Sequence, residues 1–253
     1  MKRMAWIGIV CMAATASAAP LRDAKEDVKA AAKKLGDAGN YSWTATIKNN
    51  ADTGAAPPRF AMGPVEGKAD KDGSVWVSTK MGENSIEAVM KGEKFAVKTA
   101  DGWKGSAELQ PGAGQQGQPN PAMFAGRFLR NVKAPAASVS EVVDKLKELK
   151  SEGDGVYSGE FTDEGAKETI SPPRPAGAPP GGQNFQPPQV SDAKGSIKIW
   201  VKDGMIFKIE TTVTGKMTIR DQERPVNRTT TVEIKDVGTT KIELPDEAKK
   251  KLE

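Results

Sequence analysis

Two runs of strict alternation around one Asp-Gly pair constrain this chain more than any other feature. From Ser196 to Lys202, Ile197, Ile199 and Val201 alternate with Lys198, Trp200 and Lys202. From Met205 to Val213, Met205, Phe207, Ile209 and Val213 fall on one side. Period-two hydrophobicity belongs to antiparallel strands with one buried face. A two-residue Asp203-Gly204 loop would pair Lys202 with Met205 and mix the faces. The pattern therefore favours a three-residue loop that pairs Val201 with Met205, Ile199 with Phe207 and Ile197 with Ile209. Met217 and Ile219 continue the sheet, and Val226, Thr230, Val232 and Ile234 follow a polar loop. Thr240 to Leu244 reads as a closing strand ended by Pro245, and Asp246-Glu247-Ala248 as a final helical turn.

The earlier part of the chain repeats the plan. Leu21 to Leu35 is a helix, because Leu21, Ala24, Val28, Ala31, Ala32 and Leu35 form one stripe and Gly36 offers a stop. Tyr41 to Lys48 alternates, with Tyr41, Trp43, Ala45 and Ile47 on one face. After a Pro57-Pro58 loop, strands are expected at Val65–Asp70, Ser74–Met81, Asn84–Met90 and Lys94–Thr99, with Trp103 beyond the Asp101-Gly102 turn. Gln110 to Pro121 is a Gly/Gln/Pro loop, and Ala122 to Val132 reads as a short helix. Ser138 and Glu141 form a capping box. Val139, Val142, Val143, Leu146 and Leu149 give a helical stripe that runs to Gly153. Val156 to Thr162 is a strand, and the proline-rich segment at about 171–190 is a linker.

Lys2-Arg3, the apolar run Ala5 to Ala14 and Ala16-Ser17-Ala18 read as a secretory leader cleaved after Ala18. That run is about half of what a membrane span needs. Residues 19–253 are then expected to form a single domain in the periplasm or outside the cell, without a membrane-spanning segment. Cys11 lies within the leader, and Ile9-Val10 before it do not suit a lipid attachment site. The processed chain has no cysteine and no histidine, so thiol nucleophiles, the common triads and zinc sites have no residues to build on. The net charge of +4 loses two units with Lys2 and Arg3, and no basic cluster interleaves with aromatics. Nucleic acid is not an expected partner.

Remaining motif fragments have simpler readings. Ser191-Asp192-Ala193-Lys194 matches a Ser-x-x-Lys pattern but precedes a strand rather than opening a helix. Asp70-Lys71-Asp72-Gly73 lacks the later ligands of a calcium loop and suffices as a hairpin turn. The chain is read as non-catalytic, without metal or cofactor. Candidate ligand-binding residues are the aromatics Trp43, Trp76, Phe95, Trp103 and Phe207, which either fill the space between sheet and helices or line a cavity there. Trp200 falls on the face opposite Ile197, Ile199 and Val201, beside lysines.

Ile197-Lys198-Ile199-Trp200-Val201-Lys202-Asp203-Gly204, followed by Phe207-Lys208-Ile209-Glu210, resembles a strand pair of the outer-membrane lipoprotein carrier (LolA-like) superfamily, which includes LppX-like and RseB-like proteins. Thr229-Thr230-Thr231-Val232 through Gly238, Ile242, Leu244 and Pro245 is similar to its closing strands. The resemblance implies an α+β fold, an antiparallel half-barrel sheet wrapped around two or three helices. It also implies an apolar cavity for a lipid or a lipidated protein in the cell envelope, or, in the RseB-like alternative, an interaction or stress-sensing module with an envelope protein as partner. Tyr41 to Lys48 contains no arginine of the kind carriers place there, so no site residue is carried over.

Overall fold

The computed structural model describes residues 23–50, 62–82, 84–109, 132–171, 188–219 and 221–253. The leader, with its cleavage site and Cys11, the 110–121 loop, most of the 122–132 helix and most of the 171–190 linker lie outside the described residues.

Eleven strands form one antiparallel sheet, open at both edges and curled. They are β1 (Tyr41–Asn49), β2 (Met62–Ala69), β3 (Ser74–Met81), β4 (Asn84–Lys91), β5 (Lys94–Thr99), β6 (Gly102–Gly105), β7 (Leu146–Gly153), β8 (Val156–Phe161), β9 (Gln189–Lys202), β10 (Met205–Ile219) and β11 (Gln222–Lys235). Their order across the sheet is β6-β5-β4-β3-β2-β1-β11-β10-β9-β8-β7. Two consecutive meanders are thus joined through the β1–β11 pair, which brings Trp43 opposite Ile234 and Ala45 opposite Val232.

Helix α1 (Ala24–Asp37) is capped by the Asp23 carboxylate, which accepts from the Lys25 N–H at 2.9 Å. Its stripe of Val28, Ala31, Ala32 and Leu35 is buried on the concave face. Fully burying a Val or Leu side chain is worth about 1.5–3 kcal/mol, so this stripe rather than intrinsic propensity holds the helix in place. The Lys34 ammonium donates to the Asp203 carbonyl at 2.7 Å and the Lys25 ammonium to the Leu146 carbonyl at 2.7 Å, pinning both ends of α1 across the second meander. α2 (Pro135–Asp144) lies against α1 through Lys29–Asp144 at 2.7 Å, and the Ala136 N–H donates to the Tyr41 hydroxyl at 3.3 Å. α3 (Asp163–Ile170) opens on Thr162, whose hydroxyl accepts from the Gly165 N–H, and packs over β9 and β10. Among the described residues a fourth helix, α4 (Asp246–Leu252), covers the convex side of β4, β5 and β6 instead.

That last contact makes a second, small core. Val89, Ala96 and Trp103 point outward from the sheet and bury against Ala248, with Leu244 and Leu252 at its margin. The Lys251–Glu108 pair at 2.7 Å ties the helix to the β6 end.

Three expectations are corrected, and one helix was not foreseen. The hairpin at Gly204 uses the two-residue loop after all: Met205 pairs with Lys202 and Ile206 with Val201. Asp203 and Gly204 both have positive φ (53° and 74°), the combination a two-residue hairpin turn needs. The register then shifts between Ile206 and Lys208, so that Phe207 is an extra residue, a β-bulge, and Ile209 returns to its place opposite Ile199. Phe207 is not an inward residue; it is 41 % exposed, and Ile206 takes the buried position.

The expected helix from Ser138 to Gly153 begins earlier, with Pro135 in its first turn, and ends at Asp144; Leu146–Gly153 is strand β7. Leu146 and Leu149, three apart, imitate a helical stripe. A register shift between Leu146 and Glu148 adds one residue, so both leucines face inward from a strand. Thr240 to Leu244 forms no strand, while α4 begins at Asp246. Finally, α3, with its Thr162 cap and Asp163 and Glu164 in the first turn, lies between the expected strand and the expected linker, where no element was foreseen.

Candidate functional site

The concave face is covered unevenly. α1 and α2 sit toward the Gly204 hairpin, and α3 toward the opposite ends of β9 and β10. Between them, β1, β11 and β10 present three rungs of inward side chains. Ala45, Val232 and Ile209 stand opposite one another on the first, Ile47, Thr230 and Thr211 on the second, and Asn49, Arg228 and Val213 on the third. Successive rungs are about 7 Å apart, two residues of strand rise.

The rungs differ in exposure. Ile209 and Val213 are buried, but Ala45, Val232, Thr211 and Thr230 are only partly covered, and Ile47 is 39 % exposed. An inward isoleucine that is more exposed than most outward residues is not explained by core packing. The threonine hydroxyls on the second rung supply the few polar groups that an otherwise apolar strip carries.

Arg228 closes the strip. Its Nη2 donates to the Thr169 carbonyl at 2.7 Å, beside the C-terminal end of α3, where a cation is favoured by the helix dipole. Burial lowers the guanidinium pKa from its ordinary value. None of the ion pairs among the described residues involves it.

The aromatics chosen from sequence are not gathered at one place. Trp43 and Phe95 face the concave core and are buried there. Trp43 packs against Tyr41, with ring centroids 5.9 Å apart. Burial pushes the Tyr41 hydroxyl pKa up, against the opposing effect of the Ala136 N–H bonded to it. Trp76 lies on the convex face, where its indole N–H donates to Glu87 at 3.1 Å and Lys68 stands 5.3 Å from its ring. Trp103 is on that same face, under α4. Phe207 is at the bulge. Trp200 has the placement expected of it, on the convex face between Lys208 and Lys198, 4.5 and 5.7 Å from its ring centroid.

The strip residues themselves were not singled out from sequence. Ile47, Thr230 and Val232 were placed in strands, but which alternating face two helices would leave uncovered is a tertiary fact. Arg228 carried a usable signal, because it interrupts the inward alternation Val226, Thr230, Val232, Ile234 with a charge.

Two surface depressions lie elsewhere. One of about 630 Å³ is lined on the convex side by Lys150, Glu160, Ser196, Lys198, Glu210 and Thr212 among others. Another of about 380 Å³ lies beside α4 and the β2–β3 turn, where Asp72 is paired with Lys91 at 2.7 Å. Both are open; Lys150 pairs with Glu148 at 3.1 Å on the rim of the first, as Asp72 does with Lys91 on that of the second.

No family model matches the sequence, and no curated protein matches it. Among solved structures, the chain is similar to LprF from Mycobacterium bovis, with 12% identity and a TM-score of 0.44 over 89% of this chain and 97% of that one. It is also similar to the Mycobacterium tuberculosis lipoprotein LppX, with 8% identity and a TM-score of 0.45 over 87% of this chain and 97% of that one.

Proposed function

We propose that the protein is a non-catalytic binder of an apolar ligand, a lipid or the acyl group of a lipidated protein, working in the cell envelope after export. The observation that carries this reading is the partly uncovered inward strip of Ala45, Ile47, Thr211, Thr230 and Val232 between α1 and α3. Apolar side chains on a concave sheet that helices do not fully cover make a surface for a hydrocarbon chain, with area burial as the driving term. The leader read at residues 1–18 and the resemblance to envelope lipoprotein carriers point the same way. A second reading, a protein-interaction module, has its own support in Trp200 and the exposed Phe207 on the convex face.

The experiment is binding of hexadecanol, followed by native mass spectrometry, to the wild-type protein and to two variants. Thr230→Trp fills the middle rung from the inside and should abolish the adduct. Thr229→Trp adds the same bulk to the outer face and should leave it. Loss of binding in neither variant, or in both alike, would contradict the concave site.

A further inference from the structure

Resting on that reading, we propose that the ligand is an amphiphile with an acyl chain and a small anionic head, a carboxylate or a phosphate, and that Arg228 receives the head. The third rung places Arg228 one step, about 7 Å along the strand, beyond Ile47 and Thr230, with its guanidinium bonded at α3's C-terminal end. A hydrocarbon chain lying along the first two rungs therefore ends at a cation.

The charge state of that cation is what identifies the occupant. A guanidinium has five N–H donors in a planar fork suited to carboxylate and phosphate. Among the described residues one of them is used, by the Thr169 carbonyl, and no carboxylate neutralises the charge. Arg228 is half-buried on a face whose neighbouring positions are Ala45, Ile47, Asn49, Val213, Val226 and threonines. No enclosed side-chain nitrogen or oxygen among the described residues lacks a partner, so the remaining donors are not shut inside packed protein. Lysines and carboxylates pair all over the outer surface, as Lys198–Glu152 and Lys216–Glu223 do. An unpaired arginine on the inner face, with its fork open, is the complement of an acid.

A purely structural alternative is that Arg228 only fastens the end of α3. The two roles separate in a comparison of hexadecanoic acid with hexadecanol, measured by calorimetry on the full protein at a pH where the acid is ionised, with acetate as a competitor. Wild type should bind the acid about tenfold or more tightly than the alcohol, the scale of one charge-assisted contact. Arg228→Met should weaken the acid far more than the alcohol and so lose the preference, and Arg228→Lys should keep part of it. Acetate should not displace the acid. The proposal is overturned if wild type shows no preference, if the preference survives Arg228→Met, or if that variant weakens acid and alcohol equally, which is the signature of an undocked α3. Displacement of the acid by acetate would mark a site for free anions and overturn it as well. If neither chain binds wild type, the concave-face reading fails and this proposal falls with it. Circular dichroism of Arg228→Met and Arg228→Lys verifies that both are folded.

Discussion

The Trp43 indole lies directly over Gly67, its partner across the β1–β2 pair, so closely that a methyl group on Gly67 would overlap the ring. The inward position opposite Gly67 on β3 is Val77, fully buried, so the indole roofs a spot where three strands meet without a side chain of their own in the middle. Gly67→Ala should therefore cost about 1–3 kcal/mol through overpacking. In a Trp43→Leu background, itself destabilised, the same change should cost clearly less. Urea unfolding of the four proteins checks this; equal costs in both backgrounds would mean that Gly67 is needed for its backbone and not for the ring.

The bulged hairpin makes opposite demands on neighbours. Ile206 is buried and Phe207 exposed, so Ile206→Ala should cost about 2–5 kcal/mol and Phe207→Ala under about 1 kcal/mol. Denaturant midpoints decide it. The reverse ranking would restore the three-residue loop, in which Phe207 faces the core.

The small core under α4 should open without the rest. Ala248 is fully buried against Trp103, and Ala248→Asp places a charge there with no partner. The expected result is a loss of about 1–3 kcal/mol, limited by undocking of the helix, with a red shift of tryptophan emission before the main unfolding transition. A single transition with unchanged emission would show that α4 and the sheet unfold only together.

Asp72 supplies the pH dependence. Its bond to Lys91, helped by the Ser74 N–H, lowers its pKa to about 2. A carboxylate depressed in the folded state stabilises above its unfolded value and loses that contribution as pH falls through the folded one. The loss should thus run from about pH 4 to pH 2, and it should be small, about 0.5 kcal/mol, because both partners are half exposed to solvent. Wild type should lose that advantage over Asp72→Asn across this interval. A constant difference between the two would contradict the pairing.

Much of the architecture was legible because period-two alternation and Gly-containing turns are local signals. β3 and β5 match their expected limits, and β1 and β4 differ by one residue. Two of the misread places share a cause. At Phe207 and at β7 a bulge inserts one residue, which converts a strand pattern into something that reads as another register or as a helix. A bulge is selected by the partner strand, and the partner is not encoded in the local sequence. The same limit applies to the site. Ile47 and Ile209 both read as inward, yet one is exposed and the other buried, because α1 and α3 land on the neighbouring rungs and leave the middle one bare. α3 itself was hidden by its shortness, although Thr162 before Asp163-Glu164 is a capping signal.

The central claim is that the concave face, not the convex one, holds the hydrocarbon. The most direct measurement is photo-crosslinking with benzoylphenylalanine placed at Ile47 or at Phe207, both exposed but on opposite sides of the sheet, in the presence of hexadecanoic acid. Intact mass should show the acid added to the Ile47-substituted protein and not to the Phe207-substituted one. An adduct at position 207 with none at position 47 would contradict the account.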